Sequence, residues 1–125
     1  MRFRDFVSPN GKNVIHDWLH GKKGRRVRAD INTFLIQLST YDIIPDQFIS
    51  SVRSYPGLVE LKLYFNRTQY RPLGIYQPGQ VILLLAIAIE RGDEWEPPNV
   101  CRTAMDRRRE FERDTEGRSS DHNFD

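Results

Sequence analysis

Cysteine is nearly absent from this chain, because Cys101 is the single one among 125 residues. One cysteine cannot form an intramolecular disulfide, which is typical of a protein from a reducing compartment. The longest apolar run, Val81 to Ile89, falls far short of the roughly 20 residues that a membrane helix needs. The first residues, Met1 to Phe6, contain no apolar core of signal-peptide length. We therefore expect a cytoplasmic protein without a membrane segment, with Cys101 as a small buried side chain and not a nucleophile.

Charge of one sign is not in excess either, since 19 lysines and arginines face 17 aspartates and glutamates. A formal net charge of +2 identifies no partner, and the clustering of charge is more informative. Basic residues do cluster in one short segment, at Lys22, Lys23, Arg25, Arg26 and Arg28. The segment is either a solvated helix start or a patch that contacts phosphates, and its composition favours neither interpretation.

Histidine is scarce, with three residues in the chain. His16 and His20 have the four-residue spacing of metal-binding helices, but neither a third ligand nor an intervening glutamate accompanies them. We expect no metal and no other cofactor. The third histidine, His122, lies in residues 115–125, where no periodicity exists, and we expect a disordered tail there without a functional residue.

The most informative stretch begins at Gly57. In Leu58–Phe65, apolar and polar residues alternate, which predicts a half-buried strand with Lys62 on its polar side. Tyr70–Tyr76 forms a second predicted strand, and Val81–Ile89 a third that is buried on both faces. Lys62 and Arg71 should then lie close together on one open sheet face, beside tyrosines.

Pro72 interrupts the second of these predicted strands. Proline has no amide hydrogen to donate to a neighbouring strand. We therefore expect a bulge there, or a position at which the ladder of hydrogen bonds is broken.

Helical spacing of apolar residues predicts helices at about Val14–Leu19, Val27–Leu38 and Glu96–Arg113. A short strand, Arg2–Val7, precedes them. The predicted order is β-α-α-β-β-β-α in a domain spanning residues 1–114. It corresponds to an α+β fold in which a small, curved antiparallel sheet packs on a helical hairpin, with a C-terminal helix and a partly open second face.

This order of motifs resembles that of the RelE/ParE superfamily, the toxins of bacterial type II toxin–antitoxin modules, and most of all its HigB-like, phage-derived branch. The likeness spans about 110 residues in order, and each of its motifs is short. The motifs are Gly57-Leu58-Val59-Glu60-Leu61-Lys62, Tyr70-Arg71, the apolar strand that ends at Arg91, Pro97-Pro98, Ala104, and Ser8, Gly11 and Trp18-Leu19 at the first helix.

The resemblance implies a RelE-like fold and a ribosome-dependent mRNA endoribonuclease, or mRNA interferase, that inhibits translation without a metal. It also implies a cognate antitoxin, a small DNA-binding protein. Carried over to this sequence, the catalytic candidates are Lys62 as base or charge stabiliser, Arg71 as phosphate clamp and Arg91 as stabiliser of transition-state charge. The candidates for RNA contact are Tyr64, Arg67, Tyr70, Lys22, Lys23, Arg25 and Arg26.

Acidic residues around Arg91 keep other interpretations open. Glu90 precedes it and Asp93 and Glu94 follow, where many relatives carry consecutive basic residues, and carboxylates there would repel RNA. The alternatives are a toxin of the same fold that acts on a protein target such as DNA gyrase, and an inactive phage-derived relative. For Arg71 itself, an internal ion pair is an alternative to an anion site.

Overall fold

Two helices, a sheet and a third helix form three layers in the computed structural model, which describes residues 1–125. The predicted α+β class is confirmed. The helices are α1 (Val14–His20), α2 (Arg28–Ser39) and α3 (Val100–Arg113). The strands are β1 (Arg2–Phe6), β2 (Ile49–Ser51), β3 (Val59–Leu61), β4 (Leu63–Phe65), β5 (Thr68–Gln77), β6 (Val81–Arg91), β7 (Glu94–Glu96) and β8 (Ser119–Asp121). None of the helices is long and apolar enough to cross a membrane.

The sheet is mixed, and not wholly antiparallel as expected. Its strand order is β2-β3-β5-β6-β1-β8, with β4 also beside β5 and β7 also beside β6. Strand β1 runs parallel to β6, and the other pairs are antiparallel. Local alternation predicts that a segment is a strand, but it carries no information about which distant edge that strand joins.

Strand β6 supplies both hydrophobic cores, which explains its uninterrupted apolar sequence. One core lies between the sheet and α1–α2, and the other lies between the sheet and α3. The first core takes Ile82, Leu84, Ile87 and Ile89, and the second takes Leu83, Leu85, Ala86 and Ala88. The face that was expected to be partly open is therefore covered in part by α3.

A β-bulge at Leu85 changes which side chains face which helix. Leu73 pairs with Ala86 while Gly74 pairs with Leu84, so Leu85 has no opposite residue. Its carbonyl oxygen instead accepts a hydrogen bond from Arg107 Nη1 at 2.7 Å. Odd-numbered residues of β6 face α3 before the bulge and face α1–α2 after it.

Pro72 lies opposite the last residue of β3, next to the gap between β3 and β4. Glu60 pairs with Leu73 and Leu63 with Tyr70, and this common register places Leu61 opposite Pro72. The single predicted strand Leu58–Phe65 is thus two short strands, because the proline has no amide to continue the ladder. This agrees with the broken ladder that the sequence predicts.

The expectation of a disordered tail is corrected by β8, which pairs antiparallel with β1. Just beyond it, the His122 amide donates to the Phe3 carbonyl at 3.1 Å, and the His122 side chain is buried. A strand of three residues has no readable periodicity, and its order comes from partners more than a hundred residues away in sequence. Sequence patterning therefore could not identify it.

Candidate functional site

Lys62, the residue between β3 and β4, lies opposite Arg71 of β5, and the two are neighbours as the sequence predicts. The register that pairs Leu63 with Tyr70 also places Lys62 against Arg71. Leu61 and Leu63 pack toward α1–α2, so the alternation of the strand directs Lys62 to the α3 face. Arg71 shares that face with Leu73 of the second core. Two like charges directly opposite each other destabilise a sheet unless another group compensates them.

The guanidinium of Arg71 is buried without a carboxylate. The residue is 8% exposed, and no acidic oxygen lies within the 4.0 Å that defines an ion pair. Nη1 donates to the carbonyl oxygen of Tyr70 at 3.1 Å, and Nη2 donates to Oε1 of Gln69. Nε has no hydrogen-bond partner. The internal ion pair considered for this arginine is therefore absent, and its charge faces neutral oxygens only.

The surface beside this pair contains an exposed tyrosine and no cavity. Tyr64 lies on the same side of β4 as Lys62 and is 68% exposed. Its cross-strand neighbour is Gln69, which in turn pairs with Glu90. Neither Lys62 nor Arg71 lines any of the cavities of the molecule.

Arg91 lies on the opposite face of the sheet, although the sequence suggested that it acts together with Lys62 and Arg71. If the register of Gln77 with Val81 continued unbroken, Arg71 would pair with Ile87 and share a face with Arg91. The bulge shifts the pairing, so that Arg71 pairs with Ala88. Gly74 was the unused signal, since a Cβ there would lie 2.5 Å from the Leu83 carbonyl oxygen, and a glycine inside a strand often marks a bulge.

Most of the predicted basic segment meets Arg91 in a second location, which we call the basic groove. This groove of about 500 Å³ lies between the α1–α2 connection and the ends of β5 and β6. Its polar lining consists of Lys22, Lys23, Arg26, Asn66, Tyr70 and Arg91. The sequence therefore identified five of these six residues, although it did not predict that they form a site separate from Lys62 and Arg71.

Glu96 bridges two cations of the basic groove. Its Oε1 lies 3.1 Å from Lys23 Nζ, and its Oε2 lies 3.0 Å from Arg91 Nε. Hydrogen bonds from Lys23 and then Arg91 lower the pKa of Glu96 below its usual value. The bridge exists because the chain turns back at Gly92, whose φ is +63°, and forms β7. The glycine after β6 was the signal for this hairpin, which the sequence prediction missed.

The remaining candidates for RNA contact differ in exposure. Arg25 is exposed and lines no cavity, and Arg67 is exposed in the two-residue turn that joins β4 to β5. Asn66 and Arg67 both have positive φ there, at 52° and 62°. Tyr70 is only 8% exposed and packs into the core below α1–α2. Its ring is therefore not free to stack on a base.

The histidines have structural partners. The rings of His16 and His20 stack with centroids 3.9 Å apart, and His20 Nδ1 lies 2.9 Å from the His16 carbonyl oxygen. His20 Nε2 lies 2.6 Å from Arg28 Nη1, so neither nitrogen of this ring is free to bind another group.

His122 forms part of a buried network that we call the C-terminal latch, which consists of Asp5, Asn32 and His122. The His122 ring nitrogens lie 2.8 Å from Asp5 Oδ1 and 2.8 Å from Asn32 Oδ1. Asn13, the N-cap of α1, donates to Asp5 Oδ2 at 3.0 Å. Both ring nitrogens therefore have a polar partner, and both of those partners lie inside the protein.

Cys101 lies on the buried face of α3, as expected for a small apolar side chain. Burial, with a smaller effect of nearby Glu60, raises the pKa of its thiol to about 11. A thiol with so high a pKa is not an activated nucleophile.

Comparisons with protein-family models, with curated proteins and with solved structures found no match to this chain.

Proposed function

We propose that this protein is a metal-independent endoribonuclease that cleaves translated mRNA, the toxin of a type II toxin–antitoxin module with a RelE-like, HigB-type fold. The observation that supports it is the buried, carboxylate-free guanidinium of Arg71 with Lys62 directly opposite. The catalytic residues of the proposal are Arg71 and Lys62.

A buried cation without a counter-ion destabilises the protein that contains it. A phosphodiester placed over Lys62 and Arg71 supplies the missing negative charge to both residues. The planar fork of Arg71 suits two phosphate oxygens, whereas the Lys62 ammonium is a compact charge on a flexible stem. The pair is thus arranged for a ligand that the chain itself does not provide.

The absence of a cavity at Lys62 and Arg71 favours single-stranded RNA over a small molecule. A pocket for a small ligand encloses most of it, and no cavity opens at Lys62 and Arg71. Exposed Tyr64 on the same face offers a ring on which an unpaired base can stack.

The reaction requires only the RNA and these side chains. The 2′-oxygen forms a bond to the adjacent phosphorus, and the bond from phosphorus to the 5′-oxygen of the next nucleotide breaks. The products are a 2′,3′-cyclic phosphate and a free 5′-hydroxyl. Lys62, as the neutral amine, accepts the proton of the 2′-hydroxyl and returns it to the departing 5′-oxygen, or, as the ammonium, it balances the new negative charge while that proton passes from the 2′-oxygen to the 5′-oxygen. Arg71 holds the phosphate oxygens through the transition state.

The proposed partners are the ribosome with its mRNA and an antitoxin that is itself a small DNA-binding protein. The antitoxin would act by covering the open face at Lys62, Tyr64 and Arg71. Inhibition of translation in the cytoplasm is the expected consequence of activity without the antitoxin.

One observation favours a second candidate, a toxin of the same fold that acts on a protein target such as DNA gyrase. Arg91 is neutralised by Glu96 and lies on the other face from Arg71, so one of the cations expected in the nuclease site is missing from it.

The test is to induce the protein in bacteria without an antitoxin and to map new 5′ ends on translated messages. The variants are Arg71→Ala, Arg71→Lys, Lys62→Ala and, as a matched control with the same change of charge, Arg102→Ala on the exposed surface of α3. We expect growth arrest with cuts inside coding regions for the wild type and the control. Arg71→Ala should lower cleavage by about 10²–10³-fold, the usual effect of removing one donor to a developing oxyanion.

Arg71→Lys retains the charge but loses the fork, and it should restore only a small part of the activity. Arrest without cuts, insensitive to Arg71 and Lys62, would reject the nuclease and support the protein target. No arrest would indicate an inactive relative.

A further inference from the structure

We propose that the basic groove is a second binding site for the phosphates of single-stranded RNA, and that Glu96 occupies this site as an internal competitor until a phosphate displaces it. The inference extends the proposed function, because it supposes that RNA is the substrate. It concerns the opposite face of the sheet from Lys62 and Arg71.

The groove has more positive than negative charge available to a ligand. Lys22 and Arg26 form no ion pair within the chain, and Lys23 and Arg91 share the single carboxylate of Glu96. Four cations and one bridging carboxylate leave an excess of positive charge. The volume of about 500 Å³ lies within the range of sites that hold nucleotide-sized ligands.

The position of Glu96 shows where an anion binds most readily. One carboxylate oxygen faces an ammonium and the other faces a guanidinium, and two oxygens of a phosphodiester can make the same contacts. Lys23 and Glu96 are both partly exposed, so the bridge is open to exchange. Exposed ion pairs are weak, and a polyanion that gains Lys22 and Arg26 as well can replace this one.

Charge complementarity selects RNA backbone as the occupant. A single strand carries a phosphate at every nucleotide, so one strand can contact several of the four cations. The groove lacks a free aromatic platform because the Tyr70 ring is buried, and it should therefore bind backbone without preference for the base.

The test measures the binding of a short, fluorescein-labelled 2′-O-methyl RNA by fluorescence anisotropy over a range of salt concentrations. This RNA has no free 2′-hydroxyl and cannot be cleaved, so the measurement does not depend on nuclease activity. Glu96→Gln should tighten binding by about 3–10-fold, since it removes the competitor and frees two cations. Asp42→Asn, the same change of charge at an exposed loop residue without partners, should alter it by less than about twofold.

The complementary variant removes the two unpaired cations. Lys22→Ala with Arg26→Ala should weaken binding by about tenfold and reduce the slope of log K against log salt by about 1.4, which is 0.7 for each lost contact with a single strand. The control is Arg53→Ala with Arg102→Ala, which removes two exposed arginines outside the groove and should leave the slope unchanged.

Two results would overturn the proposal. The first is an RNA affinity that is the same in Glu96→Gln as in Asp42→Asn, or the same in the two double variants. The second is that an oligoglutamate peptide, and not the RNA, binds with the predicted dependence on Glu96, Lys22 and Arg26, which would assign the groove to an acidic protein partner. If the RNA binds as predicted but the protein cuts no message, the groove stands and only the nuclease is rejected.

Discussion

His122 of the C-terminal latch and Arg71 of the Lys62–Arg71 pair are both buried, but they differ in their partners. His122 and Arg71 are 7% and 8% exposed, and each is surrounded by protein. His122 has a carboxylate 2.8 Å away and a second oxygen on its other side. Arg71 has only neutral acceptors, and its Nε has none. Removing one member of a buried and fully hydrogen-bonded pair destabilises a fold, whereas a buried charge without a counter-ion is available to a ligand.

The largest expected effect is a loss of stability when His122 is removed from the C-terminal latch. His122→Ala leaves the buried Asp5 carboxylate with the Asn13 amide as its one remaining side-chain donor, which should lower the free energy of unfolding by about 3–5 kcal/mol. Urea denaturation followed by circular dichroism measures it. The matched control is Asp121→Ala, which breaks exposed pairs with Arg4 and Arg2 and should cost less than about 1 kcal/mol. Equal losses in the two variants would show that the buried C-terminal latch contributes no more to stability than the exposed ion pairs of Asp121.

For Arg71 we expect the opposite: its removal should raise the free energy of unfolding, and a result of the other sign would contradict the comparison. Arg71→Met replaces an uncompensated buried charge with an apolar chain of similar length and should raise the free energy of unfolding by about 1–3 kcal/mol. The same variant should lose cleavage. A protein less stable than the wild type would show instead that the bonds of Arg71 to Gln69 and Tyr70 hold the sheet together.

A smaller effect concerns Cys101, which lies in the core below α3 on the same side of the sheet as Arg71. Burial raises its pKa from 9.0 to about 11, so the unfolded chain releases the thiol proton first as pH rises. The contribution to stability is therefore fully present at neutral pH and is lost as the pH rises through the folded value. Between pH 9 and 11 the wild type should lose on the order of 1 kcal/mol more than Cys101→Ala does.

Urea titrations of both proteins at pH 8, 10 and 11 provide the measurement, with values spanning the two pKa limits. Identical pH dependence in the two proteins would mean that α3 separates from the sheet readily enough to hydrate the thiol. Arg71 would then be less isolated from water than its exposure indicates.

The smallest expected effect lies in the basic groove, where charges are exposed. Glu96→Gln should change the free energy of unfolding by less than about 0.5 kcal/mol, because an exposed ion pair contributes little. Since the pKa of Glu96 is lowered in the folded state, any contribution is present above its unfolded pKa and disappears as the pH falls through the folded value. A measured loss above 1 kcal/mol would assign Glu96 a structural role and weaken its role as competitor.

The elements with long local patterns were predictable, and the positions decided by distant partners were not. The apolar spacing identified all three helices and the strands around Lys62, Arg71 and the β6 core. It did not reveal β8, whose order depends on β1. The face of Arg91 depended on one extra residue at Leu85, which the presence of Gly74 inside β5 could have indicated. Most residues of the basic groove were identified from the sequence. Their location, on the other face of the sheet from Lys62 and Arg71, could be defined only by the three-dimensional fold.

The pairing of β1 with β8 also has a consequence for synthesis of the protein. Strand β1 leaves the ribosome first, and β8 is made after all the other strands and helices. Asn13 can donate to one oxygen of the Asp5 carboxylate early, but the other oxygen has no partner until His122 is made, 117 positions later. The nascent chain can collapse around β5 and β6, but one edge of β1 stays unpaired until translation has passed β8. During that interval the unfinished chain has an exposed strand edge that chaperones or another copy of the chain could bind.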